Sequence, residues 1–242
     1  MHREPISITV SGQELSGTFA VPETHMPGVL FIHGWSGSQQ NDLHRAEEIA
    51  GLGCVCLTFD LRGHAGTEAM RGDVTPADNM ADVLAAYDRL VGHPLVDKSA
   101  IAVIGSSYGG YLAALLTAKR AVRWLSLRVP ALYRDNSWES IKARLDRDDL
   151  NLYRGQYVSP DANTALGACA GFEGDVLVVE SEFDHLVPHT TISNYVGAFR
   201  KAKSLTYRVV KGADHALTEK HDREAYSSLL IRWIKEMVIG AR

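Results

Sequence analysis

The chain has 242 residues, 45% hydrophobic and 22% charged, with 25 Lys and Arg against 29 Asp and Glu, a net charge of −4. That balance fits one α/β domain spanning 1–242 and leaves no basic surface of the kind that nucleic acid or an anionic membrane requires. No apolar run approaches the ~18 residues of a membrane span. The opening MHREPISITV lacks the apolar core of a signal peptide, so the cytoplasm is the expected location. Cys54, Cys56 and Cys169 match neither a disulfide framework nor a metal-site spacing and are expected as free buried thiols.

ISITV and ELSGTFAV alternate apolar and polar residues around SGQ, which predicts an antiparallel hairpin. GVLFIHG is a short apolar run suited to a strand buried on both faces, and NDLHRAEEIAGLG is a helix that stops at glycine. CVCLTFD reads as the next strand, followed by the turn LRGHAGT. Thr75 and Pro76 open a helix running to about His93, since threonine caps well and proline tolerates the first helical position. AIAVIG is a strand, YGGYLAALLTAKR a helix and AVRWLSLRVP a strand closed by proline. GDVLVVES, ISNYVGAFRKA, SLTYRVV and EAYSSLLIRWIKEMV continue the alternation of strand and helix. Such alternation predicts a mostly parallel sheet flanked by helices, with function gathered at the carboxyl ends of the strands. The stretch from about 130 to 173 breaks the rhythm: it lacks a buried strand and sets Tyr133, Trp138, Tyr153 and Tyr157 among charges. A small helical cap inserted in the sheet is the expected reading.

Gly105-Ser106-Ser107-Tyr108-Gly109 fits G-x-S-x-G between a strand and a helix, the nucleophile elbow. The chain reverses so sharply there that residues two before and two after the serine must be small. The frame selects Ser107, because Ile104 stands where Ser106 would need a glycine. A serine hydroxyl needs a base, and the base an orienting acid, each from a later strand end. His215 follows SLTYRVV and is the expected base, ahead of His185 and His221. Asp184 follows GDVLVVES and is the favoured acid, with Glu180 and Glu182 as rivals. An oxyanion needs two fixed donors. The Tyr108 N–H and the Trp35 N–H, freed by the turn at Gly34, are the candidates. His33 reads as a structural hydrogen-bonder or a pocket residue, and His185, Tyr133, Trp138, Tyr153 and Tyr157 as a pocket wall for the acyl group. Each of those rings could equally do no more than bury the cap. No metal or cofactor is called for.

At FIHGWSGS, FDLRGHAGT, GSSYGG, ESEFDHLVP and GADHAL the chain resembles the α/β-hydrolase family, near its dienelactone-hydrolase and cinnamoyl/feruloyl-esterase branches. The resemblance implies an eight-stranded, mostly parallel sheet, a triad of Ser107, Asp184 and His215, and oxyanion donors at Trp35 and Tyr108. Two positions depart from it. Serine replaces the cysteine of dienelactone hydrolases proper, which favours ordinary ester hydrolysis, and Ala65 follows the RGH of Arg62–His64 where relatives often have glycine. Arg62 and His64 are expected to scaffold that turn. The expected activity is serine hydrolysis of a small or aromatic acyl ester, with a small molecule as partner. The alternatives are a peptidase of the prolyl-oligopeptidase type, a thioesterase, a carbon–carbon bond hydrolase, and a ligand receptor built on a hydrolase scaffold.

Overall fold

The computed structural model describes residues 25–240, together with the backbone of two strands before them, His2–Val10 (β1) and Gln13–Val21 (β2). From there strand and helix alternate: Met26–Ile32 (β3), Gln40–Ala50 (α1), Val55–Thr58 (β4), Pro76–Val91 (α2), Val96–Ser106 (β5), Tyr108–Leu116 (α3) and Trp124–Arg128 (β6). The segment after β6 holds Arg147–Arg154 (α4), Thr164–Gly171 (α5) and short 3-10 turns. Asp175–Phe183 (β7), His189–Ala198 (α6), Ser204–Asp214 (β8) and Lys220–Gly240 (α7) complete the order.

Six strands form one parallel sheet in the order β4-β3-β5-β6-β7-β8. The eight strands expected in one sheet are therefore divided. β1 and β2 pair with each other from His2↔Val21 to Val10↔Gln13 and make a two-stranded sheet of their own. A hairpin can close on itself because antiparallel neighbours need only a tight turn, whereas each parallel neighbour needs a crossover.

Alternate residues along the central strands face opposite cores. Leu30, Ile32, Ile101, Val103, Leu125 and Leu127 pack towards α2, α3, α5 and α6. Val29, Phe31, Ala102, Ile104 and Trp124 pack towards α1 and α7, where Ile49, Tyr226, Leu230 and Ile234 meet them. Burial on both faces explains why these strands read as unbroken apolar runs. The start of α2 follows its sequence: Thr75 Oγ1 accepts from the Asp78 N–H at 3.1 Å, and the Asp78 carboxylate accepts from the Thr75 N–H at 2.9 Å. This capping box satisfies donors that the first helical turn leaves open.

Candidate active site

The register aligns the carboxyl ends of β5 to β8, and the loops leaving them carry the polar residues singled out above. Ser107 sits between β5 and α3 with φ 53° and ψ −116°, a backbone that L-residues adopt only under strain. The surroundings hold it there. The Ser107 N–H donates to the Arg128 carbonyl at 2.9 Å, and the Ser107 carbonyl accepts from Ala131 and Gly110 N–H groups, each at 3.0 Å. A Cβ on Gly105 would collide with the Gly109 carbonyl, and one on Gly109 with the carbonyl oxygens of Ile32 and His33. Those collisions are the physical content of the two flanking glycines.

Ser107 Oγ lies 2.9 Å from His215 Nε2, and His215 Nδ1 lies 2.6 Å from Asp184 Oδ2. With the ring neutral, the Nδ1–H donates to the carboxylate and Nε2 accepts the serine proton. Asp184 Oδ1 also accepts from the Leu186 and Val187 N–H groups, both at 2.8 Å. Burial works against charge on the Asp184 side chain, which is 3% exposed, but the His215 hydrogen bond and these two amides outweigh it and hold its pKa below the usual carboxylate value. The rival acids are engaged elsewhere. Glu180 meets His189 and the Tyr207 hydroxyl, and Glu182 meets Lys211 and the Gly212 N–H. Of the rival bases, His221 pairs with Asp222 and His185 is exposed.

Gly34 lets the loop after β3 touch the elbow, since its Cβ position is 3.2 Å from both Ser107 Cβ and the Ser106 carbonyl. His33 is buried and fixed at both ring nitrogens: Nε2 accepts from the Leu61 N–H at 3.1 Å, which leaves Nδ1–H to donate to the Gly34 carbonyl at 2.8 Å. This is the structural role weighed for it, although its ring also lines the cavity. Among the described residues, the backbone N–H groups of Trp35 and Tyr108 have no backbone acceptor. The Tyr108 group is one of the open donors of the first turn of α3.

The cavity holding Ser107 and His215 measures about 760 Å³. None of Tyr133, Trp138, Tyr153, Tyr157 and His185 lines it, which corrects the expected aromatic wall there. Tyr133 and Tyr153 are buried in the packing between the 130–173 segment and α3, Trp138 is half-buried against the same core, and Tyr157 is 80% exposed. Apolar rings gain more by leaving water beneath a cap than by facing a polar cleft.

The residues that sequence reasoning missed are arginines. Arg45, Arg128 and Arg223 line the cavity together with Asp42. Arg128 ends β6, and burial pulls its guanidinium below its ordinary pKa. The available signal was an arginine closing the apolar run WLSLRVP at the same sheet edge as Ser107. The RGH turn fits the scaffold reading. Arg62 binds Asp82, His64 Nδ1 is 3.2 Å from the Arg62 carbonyl, and Ala65 takes the left-handed φ of 45° in place of a glycine.

The model of the Alpha/beta hydrolase family matches residues 29–228. The chain belongs to that family. It is 29% identical over 240 residues to an uncharacterized protein of Mycobacterium tuberculosis, covering 98% of this chain and 80% of that one. A dienelactone hydrolase from Anabaena variabilis has a similar structure, with a TM-score of 0.61 at 20% identity and 97% of each chain covered. Est1E from Butyrivibrio proteoclasticus, solved with ferulic acid bound, has a TM-score of 0.66 at 18% identity, covering 97% of this chain and 99% of that one. At these identities the two structures share the fold with this chain. The named branches are the ones its motifs resemble.

Proposed function

We propose that the chain is a serine hydrolase of carboxylic esters that works through an acyl-enzyme on Ser107. The observation that carries this reading is the continuous row from Ser107 Oγ through His215 to Asp184, with contacts of 2.9 and 2.6 Å. Ser107 Oγ attacks the ester carbon while His215 Nε2 takes its proton. Asp184 keeps the Nδ1–H tautomer and stabilises the imidazolium as it forms. The carbonyl oxygen becomes an oxyanion that the Trp35 and Tyr108 N–H groups receive; loss of one such donor costs on the order of 3 kcal/mol in the barrier. His215 then protonates the departing alkoxide, and the alcohol leaves. Water repeats the attack on the acyl-enzyme with His215 as base, releasing the acid and restoring Ser107.

Among the described residues no helix is long and apolar enough to cross a membrane. The reading has a small ester as partner and keeps the enzyme in the cytoplasm, as one domain whose 130–173 segment caps the sheet. A fluorophosphonate should label Ser107, as read by mass spectrometry, and the protein should hydrolyse 4-nitrophenyl acetate. Ser107→Ala should lose both while keeping its melting temperature. A protein that neither labels nor turns over any ester would end the proposal.

A further inference from the structure

The polar side of the cavity is built from charge that has no counterpart in the ester chemistry. Its walls carry three arginines against one aspartate. Asp42 is committed to Arg45, whose Nη2 and Nε lie 2.8 and 3.3 Å from Asp42 Oδ1. Arg223 spends Nη1 on the carbonyls of Leu217 and Thr218. Arg128 is 8% exposed and has no carboxylate within ion-pair distance among the described residues. Its Nη1 donates to the His215 carbonyl at 2.9 Å and its Nε to Ser106 Oγ at 3.4 Å, while Nη2 has no acceptor among the described residues. Asp42 and Asp184 act on its charge from beyond contact, and burial still dominates, so an anion in direct contact would offset a desolvation cost that these carboxylates leave in place.

The arrangement is also rigid. The guanidiniums of Arg45 and Arg128 lie 5.3 and 5.5 Å from the centre of the same Tyr226 ring. The shared ring fixes where both guanidiniums sit, and a planar fork of N–H donors matches a carboxylate or phosphate. Arg128 touches Ser106 and the His215 backbone, so an anion seated on it is a short spacer away from the acyl carbon.

We propose that Arg128, with Arg45 and Arg223 beside it, forms an anion subsite, and that the esters this enzyme cleaves carry a carboxylate or phosphate group that binds there. The proposal rests on the ester-hydrolase reading above and names its substrate class. The charged group can belong to either half of the ester.

The test compares kcat/KM, each corrected for the ester's own rate of hydroxide hydrolysis, for pairs that differ chiefly in charge: mono-4-nitrophenyl glutarate with 4-nitrophenyl pentanoate for the acyl half, and 4-acetoxybenzoate with its methyl ester for the leaving half. A third arm sets 4-acetoxyphenyl phosphate against 4-acetoxybenzoate to separate phosphate from carboxylate. The anionic member of at least one pair should be favoured about 10-fold or more, and added salt should shrink that advantage as it screens the charges. Arg128→Met should cut the anionic-to-neutral ratio at least 5-fold. If Arg128 does no more than hold the His215 carbonyl, both members fall together and the ratio stays, which overturns the proposal. Should Arg128→Met fail to fold, Arg223→Gln, at the exposed rim, is read in the same way. Turnover of neutral esters with no anionic preference in any pair refutes the subsite and leaves the hydrolase reading intact. Absence of both turnover and Ser107 labelling removes the two together.

Discussion

Two walls meet at Ser107, and they are made of opposite materials. On one side Trp35, Tyr108 and Tyr133 interlock, with ring centres 5.6 Å apart for both Trp35–Tyr108 and Tyr108–Tyr133, and His64 stands edge-on to Trp35 at 4.7 Å. On the other side Arg45, Arg128 and Arg223 border an open cavity. Tyr108 and Tyr133 are buried and hold the fold, while the half-buried Trp35 also borders the cavity. The arginine wall borders a cavity of about 760 Å³, and it is the wall to which the anion subsite is assigned. Aromatic residues near the proposed nucleophile are therefore poor guides to specificity when they are packed.

Substitutions can break or sharpen this contrast. Tyr133→Ala removes a buried ring that touches Tyr108 and Tyr111, and should cost about 3–5 kcal/mol in urea unfolding. The same variant should leave the anionic-to-neutral ester ratio unchanged, the opposite of Arg128→Met. A shift of that ratio would mean that the two walls are not separate in function.

Lys142 tests the aromatic wall from within. Its ammonium lies 4.5 Å from the Trp35 ring centre, 4.9 Å from Tyr133 and 5.2 Å from Tyr108. Burial, with Arg154, Arg71 and Arg147 nearby, pushes its pKa down to about 7, while the ring faces pull the other way. Between about 7 in the folded chain and ~10.4 in the unfolded one, the unfolded state binds more protons. Stability then rises with pH across that window, and the cost of the buried charge is fullest below it. Lys142→Met should therefore raise the melting temperature more at pH 6 than at pH 8.5. Equal shifts at both would show that the rings compensate the charge in full.

The smallest effect belongs to the turn behind that wall. Ala65 holds a left-handed φ of 45°, where an L-residue is strained by ~1–2 kcal/mol and glycine is not, although glycine also loses more chain entropy on folding. Ala65→Gly should stabilise by a net ~0.5 kcal/mol, read as a small rise in the urea midpoint.

Much of this was legible in the sequence because backbone physics wrote it there. Burial on two faces spells itself as apolar runs, and the elbow forces glycine at 105 and 109, since a Cβ at either meets backbone. His215 and Asp184 could be placed by asking which polar residues follow a strand, and β7, ending at Phe183, keeps Glu180 and Glu182 inside it. What the sequence did not show is where the rivals are spent: Glu180 on His189 and Tyr207, Glu182 on Lys211. The rings of the 130–173 segment were misplaced for a related reason: an aromatic residue among charges reads as a wall, and only the fold shows which face of it is covered. Arg128 was hidden because its meaning depends on α1 and α7, which bring Arg45 and Tyr226 to it from distant parts of the chain. The division of eight strands into six and two depends on pairing, which no local pattern encodes.

The close approach at Gly109 has a mechanical consequence. With that residue seated against the carbonyl oxygens ending β3, and Gly34 against Ser107, the first turn of α3 and the loop after β3 are wedged together. A side chain at either glycine would force that loop and the first turn of α3 apart, and with them the two proposed oxyanion amides.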